Sequence, residues 1–218
     1  MVIAQFYQQA GDKENAKKWM ADAITAAPKD LKTRLAAGYA ALELGTLDEA
    51  MKHAIIAMQI DPLSFDAKGL RGLISVCQKD YVASELFFDA VLRKSPEDFV
   101  ASNNLALALI EQNDEPKTRR ALEYAETNAK RFPKSTHALS TYGWVLYKAG
   151  RLDEAEKALR AAAAAGPVSV DTAYYTARVL IDRGRKTEAR KMLETALTQK
   201  GLSMCRPEAE ALVQELQK

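Results

Sequence analysis

Small and apolar residues return along this chain at fixed places in a block of about 34 positions, and that repetition predicts its elements. Residues 136–169 carry Tyr142, Gly143, Leu146, Gly150, Leu152, Ala155, Leu159, Ala162 and Pro167. Residues 31–64 carry Gly38, Gly45, Leu47, Ala50, Ala54, Ala57 and Pro62, and residues 65–98 carry Gly72, Tyr81, Ser84, Phe88, Val91 and Pro96. Residues 99–135 give Leu105, Ala106, Leu109, Ala121, Ala125 and Pro133, and residues 170–203 give Ala177, Leu180, Gly184, Ala189, Leu193 and Ala196. A block that is incomplete at its start, about 1–30, gives Ala4, Tyr7, Gly11, Ala16, Met20, Ala23 and Pro28. Each block predicts an antiparallel pair of helices, A then B, with no strand anywhere.

The recurring residues have physical reasons. Pro28, Pro62 and Pro96 stand 34 residues apart, Pro133 follows after 37 and Pro167 after another 34. Proline cannot continue the helical hydrogen-bond ladder, so each is expected to end a helix B. Gly11, Gly45, Gly150 and Gly184 fall between helix A and helix B, where a left-handed residue stops the first helix without strain. Glycine inside a helix costs ~1 kcal/mol against alanine, so Gly38, Gly72 and Gly143 imply a close helix approach. A leucine at Gly143 should clash there, and an alanine should be far milder.

The fourth block departs from the period by three residues within Glu111–Lys117. Asp114 suits an N-cap and Pro116 a first helical turn, so its helix B is expected to start about one turn early, or its loop to be slightly longer. Gly201–Arg206 breaks the pattern. Pro207 then opens a last helix, about 207–217, apolar on one side and polar on the other, as a terminal cap requires.

Composition narrows the function classes. The chain has 218 residues, 48% hydrophobic and 28% charged, with a net charge of +2. That balance points away from nucleic acid, and no apolar run is long enough for direct membrane insertion. Cys77 and Cys205 have no metal-ligand spacing and read as one core and one tail thiol. The first ten residues read as a repeat entered partway, which suggests a fragment, cytoplasmic or periplasmic, whose targeting signal could lie upstream. No phosphate-binding loop, dinucleotide fingerprint or nucleophile motif is present, so no enzyme, metal or cofactor is expected. Of the two histidines, His53 falls on a helix B, at the surface or half-buried, and His137 on a helix A.

A 34-residue period with Gly, Ala and Pro at these offsets resembles the tetratricopeptide repeat. The resemblance covers nearly all of residues 1–200 and implies an all-α, right-handed superhelical solenoid of antiparallel helix pairs with a C-terminal capping helix. The strings Asn103–Ala106, Tyr142–Leu146, Gly150–Ala155 and Pro207–Leu212 also resemble, more weakly, bacterial repeat proteins linked to exopolysaccharide export and PEP-CTERM sorting. In the family the A helices line a concave groove. Carrying its groove positions across gives Asn103, Asn104, Leu107 and Glu111 in the fourth unit, and His137, Thr141, Trp144 and Lys148 in the fifth. The sixth gives Asp171, Tyr174, Tyr175, Arg178 and Asp182. Aromatic residues and arginine are common binding anchors, and groove asparagines can hydrogen-bond a peptide backbone. Trp144, Tyr174 and Tyr175 could equally pack between neighbouring helices.

The family's carboxylate clamp for acidic C-termini needs converging Lys, Asn and Arg. The matching positions here are Leu35, Tyr39, Leu70, Val100 and Asn104, so that function is not expected. The expected function is a protein-interaction scaffold taking a partner peptide or helix in its groove. The alternative is a structural or oligomerisation module of a bacterial envelope, exopolysaccharide or secretion assembly, with self-association open to it.

Overall fold

A computed structural model of the chain describes residues 13–217, and within them there are twelve α-helices and no strand. Ala4, Tyr7 and Gly11 lie outside the described residues. The helices are α1 (Lys13–Ala26), α2 (Leu31–Glu43), α3 (Leu47–Ile60), α4 (Phe65–Cys77), α5 (Tyr81–Lys94) and α6 (Phe99–Ile110), followed by α7 (Glu115–Arg131), α8 (Thr136–Lys148), α9 (Leu152–Ala165), α10 (Val170–Asp182), α11 (Lys186–Leu197) and α12 (Arg206–Leu216). None of them is long and apolar enough to cross a membrane. The chain forms two compact units, residues 1–74 and 75–218, with the boundary inside α4.

Every complete repeat starts its helix A the same way. The residue two beyond each recurring proline is Asp30, Ser64, Asp98, Ser135 or Ser169, and its side chain accepts the backbone N–H three positions on. Such caps satisfy one orphan donor of the first turn and stabilise by ~1 kcal/mol each. The turn from A to B is equally uniform. Two residues before helix B the backbone is left-handed, with φ of +75° to +77° at Gly45, Gly150 and Gly184. Lys79 and Asn113 take the same place at φ 61° and 52°, so the turn survives where glycine is missing.

Each helix B from α3 onward buries a stripe spaced i, i+4, i+7, the spacing of one helix face. The stripes are Ala50, Ala54 and Ala57; Ser84, Phe88 and Val91; Ala121, Ala125 and Asn128; Ala155, Leu159 and Ala162; and Ala189, Leu193 and Ala196, all buried. Helix α7 has 17 residues where α3, α5 and α9 have 14. It starts six positions before Ala121, against three before Ala50, Ser84, Ala155 and Ala189, so the extra turn lies at its N-terminal end. Asp114 caps it, accepting the Lys117 N–H at 2.9 Å. Asn128 replaces the small apolar residue of the other stripes, and its Oδ1 accepts from the buried Ser102 hydroxyl at 3.1 Å.

In the first unit α2 packs on α1 and α3. A β-carbon at Gly38 would stand 2.5 Å from Leu70 Cδ2 and 3.4 Å from His53 Cβ. His53 is therefore no surface residue: it is 4% exposed, because it sits beside the close approach that Gly38 permits. In the second unit each helix A packs on its own B and on the next A, through α6, α8 and α10. The cap α12 closes the end by packing on both α10 and α11, with Ala209, Leu212 and Val213 joining Val170, Ala173 and Leu193 in one core. At Gly143 a β-carbon would lie 2.5 Å and 2.9 Å from Leu159 Cγ and Cδ2 and 3.3 Å from the Ala155 carbonyl. Alanine is therefore not mild there, because the atom it would meet is the branch point of Leu159 and not a flexible tip.

Candidate functional site

The face shared by α6, α8 and α10 carries a cluster of four rings. The repeat register sets Trp144 on α8 and Tyr174 and Tyr175 on α10, one repeat apart. The Trp144 ring stacks on Tyr175 with centroids 4.5 Å apart and 17° between planes, and on Tyr147 at 5.3 Å and 23°. Tyr174 lies 5.8 Å from Trp144 and meets Tyr175 edge-on at 6.1 Å. Offset and edge-on ring pairs of this kind are each worth ~0.5–1.5 kcal/mol beyond the area they bury.

A carboxylate anchors the cluster. Glu111, the C-cap of α6, accepts the Trp144 indole N–H at 2.6 Å and the Lys148 ammonium at 3.1 Å. The Lys148 Nζ also lies 5.8 Å from the Trp144 ring centroid, within cation–π range. Burial raises the Tyr147 phenol above its ordinary value, with Arg178 opposing the shift and Asp182 adding to it. Burial raises the Tyr175 phenol well above its ordinary value, with Cys205 and Asp171 adding to it. Burial likewise pushes Tyr81 up to about 12, with Glu111 reinforcing the shift.

The C-terminal segment enters the same site. Asp171 accepts the Ser203 hydroxyl and the Cys205 backbone N–H, both at 2.8 Å. The Cys205 side chain shares a space with Tyr175, and burial followed by the Asp171 charge raises its thiol pKa. Glu208 on α12 pairs with Lys79 in the α4–α5 turn. Lys79, Met204, Cys205 and Glu208 line that space, of about 100 Å³, together with Tyr81, Leu107, Glu111, Trp144, Tyr174 and Tyr175.

The residues expected from the sequence divide by burial. Asn103, Asn104, Thr141, Trp144 and Tyr175 are buried, between 4% and 9% exposed. Asn104 donates one Nδ2 hydrogen to the Val100 carbonyl of its own helix at 2.8 Å. Asn103 keeps a buried Oδ1 without a partner among the described residues. His137 is exposed and Tyr174 and Arg178 are partly so, while Lys148 keeps 26% of its side chain in solvent. Sequence reasoning missed Lys79, Tyr81, Tyr147, Ser203, Met204 and Glu208, which no local motif marks. A larger cleft of about 700 Å³ between α9, α10 and α11 lies apart from these rings, lined by Leu159, Val179 and Met192. Among the described residues no three His, Cys, Asp or Glu side chains are grouped to hold a metal ion.

Capped helix pairs, a left-handed turn in each complete pair, and a buried stripe at one register on the B helices from α3 onward define a repeat solenoid. Models described as tetratricopeptide repeat match residues 1–30, 103–170 and 141–204. The chain belongs to the tetratricopeptide-repeat (TPR) family. Comparison with curated proteins finds no match. Among solved structures, a TPR protein from Parabacteroides merdae is 13% identical over 99% of this chain and 82% of its own, with a TM-score of 0.79. A thermophilic TPR protein of Thermus thermophilus is 18% identical over 86% of this chain and 99% of its own, with a TM-score of 0.71. YrrB, described as a TPR protein with an unusual peptide-binding site, is 21% identical over 82% of this chain and 91% of its own, with a TM-score of 0.54.

Proposed function

We propose that this chain is a protein-interaction scaffold and that the face of α6, α8 and α10 receives a peptide or helix of its partner. The observation that carries the reading is the ring cluster with its cationic edge. Trp144 and Tyr175 are fixed by stacking and by Glu111, while Tyr174, Lys148, Arg178 and His137 reach solvent around them. Rigid aromatic ground ringed by cations offers little entropy to lose on binding, and it matches the composition of interface hot spots. A partner segment with an apolar side chain and a carboxylate or carbonyl suits that edge. YrrB, a similar solenoid with a peptide-binding site, supports the same use of the fold.

The test uses the accessible cations, since removing Trp144 would disturb folding. Lys148→Ala combined with Arg178→Ala is expected to weaken capture of partners from the native organism at least about tenfold. Melting should stay close to the parent. Unchanged capture with unchanged melting would reject this face.

A further inference from the structure

We infer that the segment Ser203–Glu208 is an internal occupant of the α6–α8–α10 face, held by a two-point latch, and that partner binding there requires its release. A terminal helix that only capped the solenoid would need to cover α10 and α11, and α12 does so with Ala209, Leu212 and Val213. The residues just before that core do something further. Ser203 and Cys205 both bond Asp171, which the repeat register places among the binding positions of α10. Cys205 then lines the same space as Trp144, Tyr174 and Tyr175 of the ring cluster. The first latch point is therefore a side chain and a backbone N–H on one carboxylate, the contacts an extended peptide would make.

The second point lies three repeats away. Glu208 reaches Lys79, at the A-to-B turn of the third unit, so between its two attachments the segment lines one space with side chains of α6, α8 and α10. Lys79 holds φ at 61° where three other units have glycine, so this turn carries a cation at the cost of a conformation that L residues rarely adopt. The other Glu208 oxygen is sealed from solvent with no hydrogen-bond donor among the described residues, so this carboxylate relies on Lys79. The contacts holding the segment are polar, with Arg206 adding bonds to the Leu197 and Gln199 carbonyls, whereas α12 from Ala209 onward is anchored by apolar packing. Release of Ser203–Glu208 therefore unwinds the first turn of α12 and leaves the apolar core of Ala209, Leu212 and Val213 in place.

The competition with a partner rests on the proposed function, but the latch itself does not, and its test needs no partner. In a Cys77→Ala background Cys205 is the only thiol, and its labelling rate by 5,5′-dithiobis(2-nitrobenzoate) reports release. Lys79→Glu and Glu208→Lys should each speed labelling by about 5- to 10-fold, because attraction is replaced by repulsion. The exchanged pair, Lys79→Glu with Glu208→Lys, should return to within about twofold of the parent. Ser203→Ala, which removes one bond to Asp171, should also accelerate labelling. Helical content followed by circular dichroism separates release from unfolding. Unchanged rates, failure of the exchanged pair to rescue, or labelling that only tracks loss of helix would each overturn the latch. Faster labelling alongside unaltered capture in the Lys148→Ala/Arg178→Ala variant would keep the latch and reject the binding face.

Discussion

Leu159 is the reason that Gly143 is a glycine. A β-carbon there would come within 2.5 Å of a buried leucine branch point, a distance real contacts do not reach. Gly143→Ala is therefore expected to lower stability by ~1–3 kcal/mol, with leucine worse. Gly69 provides the contrast on another helix A, since its added carbon would meet only the Tyr39 hydroxyl, at 3.9 Å. Gly69→Ala should be neutral or stabilise by up to about 1 kcal/mol. Urea midpoints of the two variants check both numbers, and equal midpoints would refute the packing argument. His53 makes a second prediction. Its Nδ1 faces the Arg34 guanidinium at 3.3 Å and its Nε2 faces Glu49 at 3.1 Å. Burial lowers its pKa below the ordinary 6.5, against the pull of Glu49. As pH falls through 6.5 the unfolded chain takes up a proton that the folded chain does not, so stability must fall with pH. A lower urea midpoint at pH 5.5 than at 7.5, flattened by His53→Gln, is the expected outcome.

The elements were largely legible because their signals are local. Proline ended helix B, glycine marked the A-to-B turn, and the spacing of small residues located the buried stripes. The three extra residues of the fourth unit resolve into one added turn at the start of α7, capped by Asp114. Asp114→Ala should therefore cost about 1 kcal/mol of stability, measured by thermal melting, and Asp114→Asn much less. Other features of the elements were readable but not read. The N-caps stand at a fixed place two residues after each proline, and the turn repeats at Lys79 and Asn113 without glycine. His53 was misjudged because its burial depends on Gly38, 15 positions away, rather than on its own helix pattern.

Across the whole molecule, the candidate site could be read only in part. The register brought Trp144, Tyr174, Tyr175, Lys148 and Arg178 to one face, yet it gave no warning that the rings stack on one another or that Ser203–Glu208 would join them. Such contacts join residues 30 or more positions apart and leave no periodic trace. Because Trp144 is 7% exposed and bonded to Glu111, Trp144→Ala should cost roughly 3–5 kcal/mol and act through stability rather than binding alone. The central claim is that the partner sits on the α6–α8–α10 face. Photo-crosslinking tests it most directly, with a benzophenone amino acid placed at His137 or at the exposed Glu126 of α7 in otherwise native chain. The account predicts a discrete crosslinked partner from position 137, weakened by Lys148→Ala/Arg178→Ala, and none from position 126. The same partner trapped from position 126 and not from 137 would contradict it.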